Sequence, residues 1–258
     1  MSGVSSVSGY SGYDAYSTIS AGGTYTKAAQ GASELAIQEK TKAQVNGLEA
    51  GEENLTSAKS ALNVEEGAMA GIEDYLQSIK ELSLKAMNGT LSDEDKQSVQ
   101  DQIKEYMEGI NDIAKNTTYN EKQLLNNEDV PTSKFEFATD SSGSTKEIST
   151  YNSTTEALGI DDYDVTKDFD ISKIDKALDK VTSMRSNTGA ETNGVEHALT
   201  YNSHAALELN GYQMDKEEDN SVKAYQELKT KQALDAYQNV LEKQKMDDRE
   251  QQNILLFS

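Results

Sequence analysis

The sequence has no cysteine and no tryptophan, and only one proline and four phenylalanines among its 258 residues. Without cysteine, the chain cannot form a disulfide, a zinc finger or a thiol nucleophile. Aromatic residues make up 7% and hydrophobic residues 35% of the sequence, which is little bulk for a thick globular core. The composition therefore favours helices that pack closely through small residues, in one large domain or two smaller ones.

Positive charge is also scarce, since 24 Lys and Arg stand against 45 Asp and Glu, for a net charge of −21. Binding to nucleic acid or to an anionic membrane needs clustered Lys and Arg, so we expect neither partner. The acidic residues are interpreted as solvated helix faces. No segment approaches the ~20 apolar residues of a membrane span. The N-terminal residues, with no Lys or Arg before Lys27, do not resemble a secretory signal peptide.

The sequence does contain long helical patterns, and the first is predicted from Lys27 to about Met87. It is expected to end at Asn88-Gly89, a pair typical of helix C-termini. Within this stretch, apolar residues recur at every seventh position, and others follow three residues later. Such spacing predicts one long helix with a narrow apolar seam. The seam residues are Leu48, Leu55, Leu62, Met69, Ile72, Leu76 and Ile79.

A second helix is predicted to follow and to end at about Asn116. Ser92 with Asp95 three residues later is a weaker form of the capping box that starts helices. Alternating spacings of four and three then predict a stripe that can share the seam of the first helix. This stripe contains Val99, Ile103, Tyr106, Ile110 and Ile113.

The segment from Asn126 to about Asp170 differs, and it contains the only proline, Pro131. Phe135 and Phe137 alternate with polar residues, and Ile148 follows after a Ser-Gly turn, which predicts a small β-hairpin. The following residues, 150–165, are interpreted as loop or irregular structure.

Helix is predicted again from Ile171, with an interruption at Gly189 and an apolar tip, NILLFS, at the end of the chain. Neither half of the sequence fills its own stripe, so the simplest arrangement packs the two halves against each other as an antiparallel bundle. The stripes of the second half contain Ile171, Ile174, Leu178, Val181, Val195, Leu199, Ala206, Leu209, Val222, Tyr225, Leu234, Tyr237 and Leu241.

The predicted fold is therefore mainly α, an elongated antiparallel helical bundle or coiled coil with a small β-hairpin insertion. A flexible arm, helical at most on docking, is predicted for 1–27. The N-terminal half of the bundle spans 28–127, the insertion 128–170 and the C-terminal half 171–215, and a terminal helix spans 216–258. The residues predicted to form the bundle and self-assembly seam are Leu48, Leu55, Leu62, Met69, Ile72, Leu76, Ile79, Ile103, Ile110, Leu178, Val181 and Leu199.

Few residues suggest chemistry, and we expect no catalytic residue, no metal site and no cofactor. The two histidines, His197 and His204, lie seven residues apart, whereas helical metal pairs lie three or four apart. Glu208, four residues after His204, could complete only a weak site.

An enzyme should be compact with one good pocket, while an assembly protein should leave apolar stripes unburied.

A calcium loop is the other candidate, because acidic residues alternate over 161–170. With Asp162 placed first, Lys167 stands where the loop needs glycine and Lys173 where it needs glutamate. A specific calcium site is therefore not expected.

Several long runs resemble bacterial flagellins. Residues 31–69 are similar to the conserved N-terminal region of that family, with matches at Leu35-Ala36-Ile37, Glu39-Lys40, Ala43-Gln44, Gly47-Leu48 and Glu66-Gly67-Ala68. Further runs that resemble the family pattern are 76–90, 116–125, 155–165, 174–190 and 253–258. The resemblance covers about residues 18–258, and the hook–filament junction protein shares part of it.

The resemblance implies a structural subunit of the flagellar filament that contributes to motility and assembles with itself or other flagellins. It also implies export of the unfolded chain by the flagellar type III apparatus, assembly under a cap protein and an extracellular location. The family's long N-terminal helix corresponds here only to the Ser/Gly-rich residues 1–17, and the variable outer domains have no counterpart. A minor or non-polymerising flagellin-like protein and a hook–filament junction protein are therefore alternatives.

The resemblance further implies weak contact with the vertebrate innate-immune receptor for flagellin, at the segment 77–84 and the facing helix near residue 102. Gln77 and Leu82 match the pattern of agonist flagellins. Ser78 stands where agonists carry arginine, and Gln102 where they carry glutamate. The loss of a planar, five-donor arginine predicts weak signalling.

Overall fold

The computed structural model describes residues 8–127 and 132–256. Pro131 and the last two residues of the apolar tip lie outside the described residues. The described chain is mainly α-helical with short antiparallel strand pairs, so the predicted fold class is confirmed. Its elements are α1 (Ser8–Ser20), α2 (Ala28–Ala86), α3 (Asp93–Asn116), β1 (Thr118–Tyr119), β2 (Lys122–Gln123), β3 (Thr132–Ala138), β4 (Thr145–Tyr151), α4 (Thr155–Leu158) and α5 (Ser172–Leu256).

Two of the helices are very long, with 59 residues in α2 and 85 in α5. Helix α2 begins and ends within a residue of the predicted limits and is non-helical only at Gly31. The predicted interruption at Gly189 is wrong, because α5 passes through it without a break. A glycine in a helix costs about 1 kcal/mol relative to alanine. The buried neighbours Val181, Thr188 and Val195 hold the helix together across it.

The predicted capping box at the start of α3 is present. The Ser92 hydroxyl accepts from the Asp95 N–H (3.1 Å), and the Ser92 N–H donates to the Asp95 carboxylate (3.2 Å). The Ser92 hydroxyl also donates to the Asp95 carboxylate (2.8 Å), and this bond, followed by the one from the Ser92 N–H, lowers the pKa of Asp95. The cap satisfies two backbone donors that a helix start otherwise leaves without partners.

The predicted hairpin is also present, with β3 antiparallel to β4 and Phe135 opposite Ile148. The interpretation of 150–165 as irregular is wrong in part, because β4 continues to Tyr151 and a short helix, α4, follows. The Thr154 hydroxyl accepts from the Ala157 N–H and starts α4. Gly159 ends it in the left-handed conformation, at φ 82°.

The chain forms two compact units, and α2 and α5 contribute to both. The larger unit is Gly47–His204, where α2 and α5 run antiparallel with α3 beside them. Ion pairs mark the antiparallel register, because Lys59 pairs with Glu196 (2.8 Å) and Lys80 with Asp175 (2.7 Å). The core joins α2, α3, α5 and the chain around the hairpin, with Met69, Ile72, Leu76, Ile79, Ile103, Ile110, Leu124, Leu125, Tyr151, Leu158, Ile160, Ile174 and Val181 among its buried residues.

The smaller unit combines the residues before Gly47 with those from Ala205 onward. Here α1 differs from the prediction of an arm that is helical at most on docking, since Ser8–Ser20 is helical within the chain itself. Ala15 and Thr18 of α1 are buried, and the Thr18 hydroxyl accepts from the Gln30 side chain (2.8 Å). These contacts hold α1 against the rest of the unit, although the Ser/Gly-rich composition of the segment does not indicate a packed helix.

A turn after α1 lies directly against α5 within this unit. Gly23 has φ +91°, and a β-carbon at this position would lie 1.8 Å from the Glu217 carbonyl oxygen. The Asn220 side chain donates to the Gly23 carbonyl (3.3 Å), and the Thr24 hydroxyl donates to Glu217 (3.1 Å). Only glycine fits this close approach of two backbones.

Among the described helices, none is both long and apolar enough to cross a membrane.

Candidate assembly and recognition surfaces

The predicted seam residues fall into two groups by burial. Leu48, Leu178 and Leu199 are half-buried. The others are fully buried inside the larger unit: Leu55, Leu62, Met69, Ile72, Leu76, Ile79, Ile103, Ile110 and Val181. A fully buried side chain stabilises its own subunit and cannot contact a neighbour. These residues could therefore affect self-assembly only indirectly, by stabilising the helices whose outer surfaces contact other subunits. That role stays a prediction.

The seam of α5 contains a seven-residue repeat that includes polar residues. Ile174, Val181, Thr188, Val195 and Asn202 follow at intervals of seven and are all buried. The apolar members of the repeat are among the predicted stripe residues, whereas Thr188 and Asn202 are not. Extending the repeat from Ile174 would have found both, because position in a heptad predicts burial independently of residue type.

A buried carboxyl group faces Thr188 from α2. Glu65 is 1% exposed, and its Oε2 accepts from the Thr188 hydroxyl at 3.3 Å. Within the described residues, its Oε1 has no hydrogen-bond partner. Burial, and then the nearby negative charge of Glu191, raise the pKa of Glu65 to about 8, although the Thr188 hydrogen bond opposes the shift. Glu65 is therefore protonated in the folded chain at neutral pH.

Neighbouring carboxylates are held by partners on other elements. Glu191 of α5 accepts from the Ser149 backbone N–H (2.9 Å) and hydroxyl (2.7 Å), which attaches β4 to α5. Arg185 of α5 bridges Glu66, through two nitrogens at 3.0 and 2.6 Å, and Glu73. One arginine thus connects two turns of α2 to α5, a geometry that suits its forked donors.

The hairpin lies on α2 at a glycine. A β-carbon on Gly51 would lie 1.7 Å from the Thr139 carbonyl oxygen. The Asn202 side chain of α5 donates to that same oxygen (2.7 Å) and to the Leu48 carbonyl (3.3 Å). The Asn54 side chain donates to the Ala138 carbonyl (3.1 Å). Two asparagine side chains and one glycine therefore fix the end of the hairpin between the long helices.

The chain between α4 and α5 is held by a buried glutamine of α3. Gln100 donates to the Tyr163 carbonyl (3.1 Å) and accepts from the Val165 N–H (2.8 Å). The Gln100 side-chain amide thus makes the two hydrogen bonds that a neighbouring β-strand would make. It satisfies a backbone carbonyl and a backbone N–H that would be costly to bury without partners. The Tyr163 hydroxyl donates to Ser83 of α2 (2.9 Å), which joins this segment to a second helix.

The four predicted receptor-facing residues lie on α2 and α3. Gln77 and Gln102 are exposed, whereas Ser78 and Leu82 are half-buried. The Ser78 hydroxyl donates to the Asp74 carbonyl (3.0 Å), so it is occupied within its own helix. The Lys80 ammonium nearby pairs with Asp175 of α5 (2.7 Å). Their role in receptor contact stays a prediction.

The residues considered for metal binding are not grouped as a site. His197 and His204 are both exposed, and no cluster of three potential ligands occurs among the described residues. In the segment weighed as a calcium loop, the Lys173 ammonium donates to both oxygens of Asp162, at 2.8 and 2.9 Å. Asp164 accepts from the Thr166 hydroxyl and Lys167, which lower its pKa to about 2. These carboxylates bind donors of their own chain.

Helix α5 leaves many large apolar side chains exposed beyond Ala205. The predicted stripe residues Val222, Tyr225, Leu234 and Tyr237 are each at least half exposed, with 50%, 53%, 56% and 61% of their surface accessible. Further exposed residues that the sequence analysis did not single out are Leu207, Tyr212, Met214, Val240 and Met246. Exposed apolar side chains that form a contiguous patch typically mark a surface that binds another protein.

Comparison with known proteins gives consistent matches. Residues 11–129 match the family described as the bacterial flagellin N-terminal helical region. Flagellin of Bacillus subtilis (strain 168) is 29% identical over 221 residues, which cover 70% of this chain and 71% of that protein. The flagellar filament core protein flaB2 of Brachyspira hyodysenteriae is 32% identical over 107 residues, which cover 42% of this chain and 38% of that protein.

A solved structure shows a similar fold. The crystal structure of Bacillus cereus flagellin superposes with a TM-score of 0.51 at 23% identity, over 58% of this chain and 88% of that chain. At this identity the likeness supports the fold, and the matched sequences above carry the family relationship.

Proposed function

Because this chain belongs to the bacterial flagellin family, we propose that it is a structural subunit of the bacterial flagellar filament. It assembles with copies of itself or with other flagellins and contributes to motility. The family is a family of structural proteins, and no catalytic role is proposed. The buried seam of α2, α3 and α5 keeps the subunit folded, while the exposed surface of α5 supplies contacts to neighbouring subunits.

The observation that carries this proposal is the exposed apolar surface of α5 beyond Ala205. Val222 and Tyr225 lie three residues apart, as do Leu234 and Tyr237, and all four side chains stay at least half exposed. Burial of apolar surface against a neighbour contributes about 25 cal/mol per Å² before the costs of association. A filament subunit, which is surrounded by identical neighbours, provides that burial.

Seeded assembly followed by electron microscopy tests the proposal. The unmodified protein should extend flagellin seeds, and a Leu234→Ser, Tyr237→Ser variant should extend them markedly less. Gln238→Ser, an exposed polar position on the same helix, is the matched control and should behave like the unmodified protein. Incorporation only in mixtures with a major flagellin would favour a minor subunit. Binding to seed ends without growth would favour a junction protein.

Export and extracellular location are part of the same proposal. The family relationship supports secretion of the unfolded chain by the flagellar type III apparatus and assembly under the cap protein at the filament tip. We expect the protein in the culture medium of cells that lack the cap and not in that of cells that lack the export apparatus. Equal amounts in both media would contradict this route.

Weak contact with the innate-immune receptor rests on Gln77, Ser78, Leu82 and Gln102. A truncated interface arginine can lose about 2 kcal/mol or more of binding energy, so Ser78 should make this chain a weak agonist. In a receptor reporter assay, a Ser78→Arg, Gln102→Glu variant should signal more strongly than the unmodified protein. Ser186→Arg, an exposed position on α5, controls for added charge. Signalling by the unmodified protein at the level of a standard agonist would disprove the idea.

A further inference from the structure

The turn between α2 and α3 contains an exposed Asn88-Gly89 pair. Asn88 Oδ1 accepts two hydrogen bonds from Thr90, one from its backbone N–H (3.2 Å) and one from its hydroxyl (2.9 Å). Apart from Gly89 and its two neighbours in the chain, no described residue has an atom within 4 Å of the position that a β-carbon on Gly89 would occupy. In the part of the chain that the structure describes, the Gly89 N–H donates no backbone hydrogen bond. The Gly89 nitrogen is therefore unhindered.

Three other Asn-Gly pairs in the sequence lie inside long helices. Asn46-Gly47 belongs to α2, and Asn193-Gly194 and Asn210-Gly211 belong to α5. In a helix, each glycine N–H is directed to the carbonyl four residues earlier, and the backbone dihedral angles are fixed. The same dipeptide thus occurs four times, once in an exposed turn and three times in rigid helix.

We propose that Asn88 is a site of spontaneous deamidation. The Gly89 nitrogen loses its proton to solvent base and bonds to Asn88 Cγ. The Cγ–Nδ2 bond then breaks, and Nδ2 leaves as ammonia after taking up a proton. The product is a five-membered succinimide. One solvent water opens this ring at either carbonyl and leaves aspartate or isoaspartate at position 88. The reaction consumes water and releases ammonia, with no oxidant, reductant or cofactor.

The surroundings of Asn88 favour the attack. Negative charge develops on Oδ1 as the Gly89 nitrogen adds to Cγ, and both Thr90 donors already point at that oxygen. Donors placed where charge develops lower the barrier in the manner of an oxyanion hole. The absence of a side chain on Gly89 leaves room for the ring. At the three helical asparagines, the helix must unfold locally before the nitrogen of the following glycine can reach the asparagine Cγ.

The product changes the turn in two ways. It places a new carboxylate two residues after Ala86, the last residue of α2. Negative charge is unfavourable at a helix C-terminus, because the helix dipole is negative there. Isoaspartate also routes the main chain through the former side chain, so the hydrogen bonds from Thr90 are lost. An ageing subunit would therefore hold the α2–α3 connection less tightly.

Peptide mapping by mass spectrometry tests the proposal on the full-length protein. The protein is incubated in mildly alkaline buffer, once folded and once in urea, and conversion of amide to acid is measured at all four asparagines. In the folded protein, Asn88 should react about tenfold faster or more than each helical asparagine, since these require local unfolding. In urea the four rates should converge. Asn88 reacting no faster than the helical sites, or faster by the same ratio in urea, would overturn the proposal.

Variants of the turn separate the contributions. Gly89→Ala should slow the reaction at Asn88, because the β-carbon hinders ring closure. Thr90→Val removes the hydroxyl donor and should also slow it, whereas Thr90→Ser keeps the donor and should match the unmodified rate. Equal rates for the valine and serine variants would contradict the role given to the hydroxyl. The urea midpoint of each variant shows whether the fold is retained.

Discussion

Glu65 shows how one polar residue in an apolar seam makes the stability of the bundle depend on pH. It lies three residues after Leu62 and four before Met69, in a helical column that is otherwise apolar or small. Thr188 offers it one hydrogen bond, while Glu191 and Glu66 oppose its ionisation. The folded chain therefore keeps a proton on Glu65 that the unfolded chain releases at a lower pH.

We expect the stability of the chain to fall as pH rises from about 4.5 to about 8, the unfolded and folded pKa values of Glu65. Below this window the carboxyl is protonated in both states, and above it both states are ionised and the folded state bears the full penalty. At about 1.4 kcal/mol per pKa unit, the penalty approaches about 5 kcal/mol. Urea unfolding across a pH series measures it.

Glu65→Gln should remove this contribution, because the amide keeps the size of the side chain and cannot ionise. The variant should be more stable than the unmodified protein above pH about 8, and the two should converge in mild acid. Glu53→Gln, an exposed position on the same helix, should leave the pH profile unchanged. A Glu65→Gln profile that stays parallel to the unmodified one would show that another group controls the dependence.

At the scale of elements, the contact between the β3–β4 hairpin and α2 depends on the absence of one side chain. Gly51→Ala would place a β-carbon 1.7 Å from the Thr139 carbonyl oxygen, which belongs to backbone and cannot rotate away. We expect a loss of about 1–3 kcal/mol of stability, the usual cost of overpacking. Faster hydrogen exchange in β3 and β4 should accompany the loss.

Gly67→Ala is the matched control, since it changes the same residue type in the same helix. Gly67 is exposed, and its β-carbon would meet no atom within 4 Å. Alanine should therefore stabilise this helix by about 0.5–1 kcal/mol. Equal effects of the two substitutions in urea unfolding would mean that the hairpin does not press on α2 at Gly51.

The helices and the hairpin could be predicted from periodicity, because each buries one face and the spacing of apolar residues reveals that face. The seams of α2 and α3, the cap at Ser92 and the hairpin that contains Phe135, Phe137 and Ile148 follow from such local patterns. Helix α1 could not be predicted in this way. Ala15 and Thr18 are buried, and Thr18 accepts a hydrogen bond from Gln30, which is separated from α1 by a turn.

The candidate surfaces were predictable to a smaller extent. Sequence spacing identified Val222, Tyr225, Leu234 and Tyr237 as apolar positions, but spacing cannot tell an exposed stripe from a buried one. The polar contacts that fix the bundle, made by Gln100, Arg185 and Asn202, join residues far apart in sequence. No local pattern specifies such partners, and only the fold brings them together.

At the scale of the whole molecule, charge opposes the association that the exposed apolar residues of α5 favour. Each copy carries a net charge of −21, so approaching copies repel one another. Added salt shortens the Debye length from about 10 Å at 0.1 M to about 3 Å at 1 M and weakens this repulsion. Hydrophobic burial between copies is not weakened by the same screening.

Assembly of the protein should therefore become faster as ionic strength rises, as followed by light scattering after seeding. A Glu53→Gln, Glu105→Gln, Glu108→Gln variant, altered at exposed positions of α2 and α3, carries less negative charge. It should assemble faster at low salt and respond less to added salt, because less repulsion remains to be screened. Sucrose, which carries no charge, controls for effects of the solute other than screening. Faster assembly at low salt would show that attraction between charged groups governs association instead. An equal salt response of the two proteins would show that repulsion by these glutamates does not set the salt dependence.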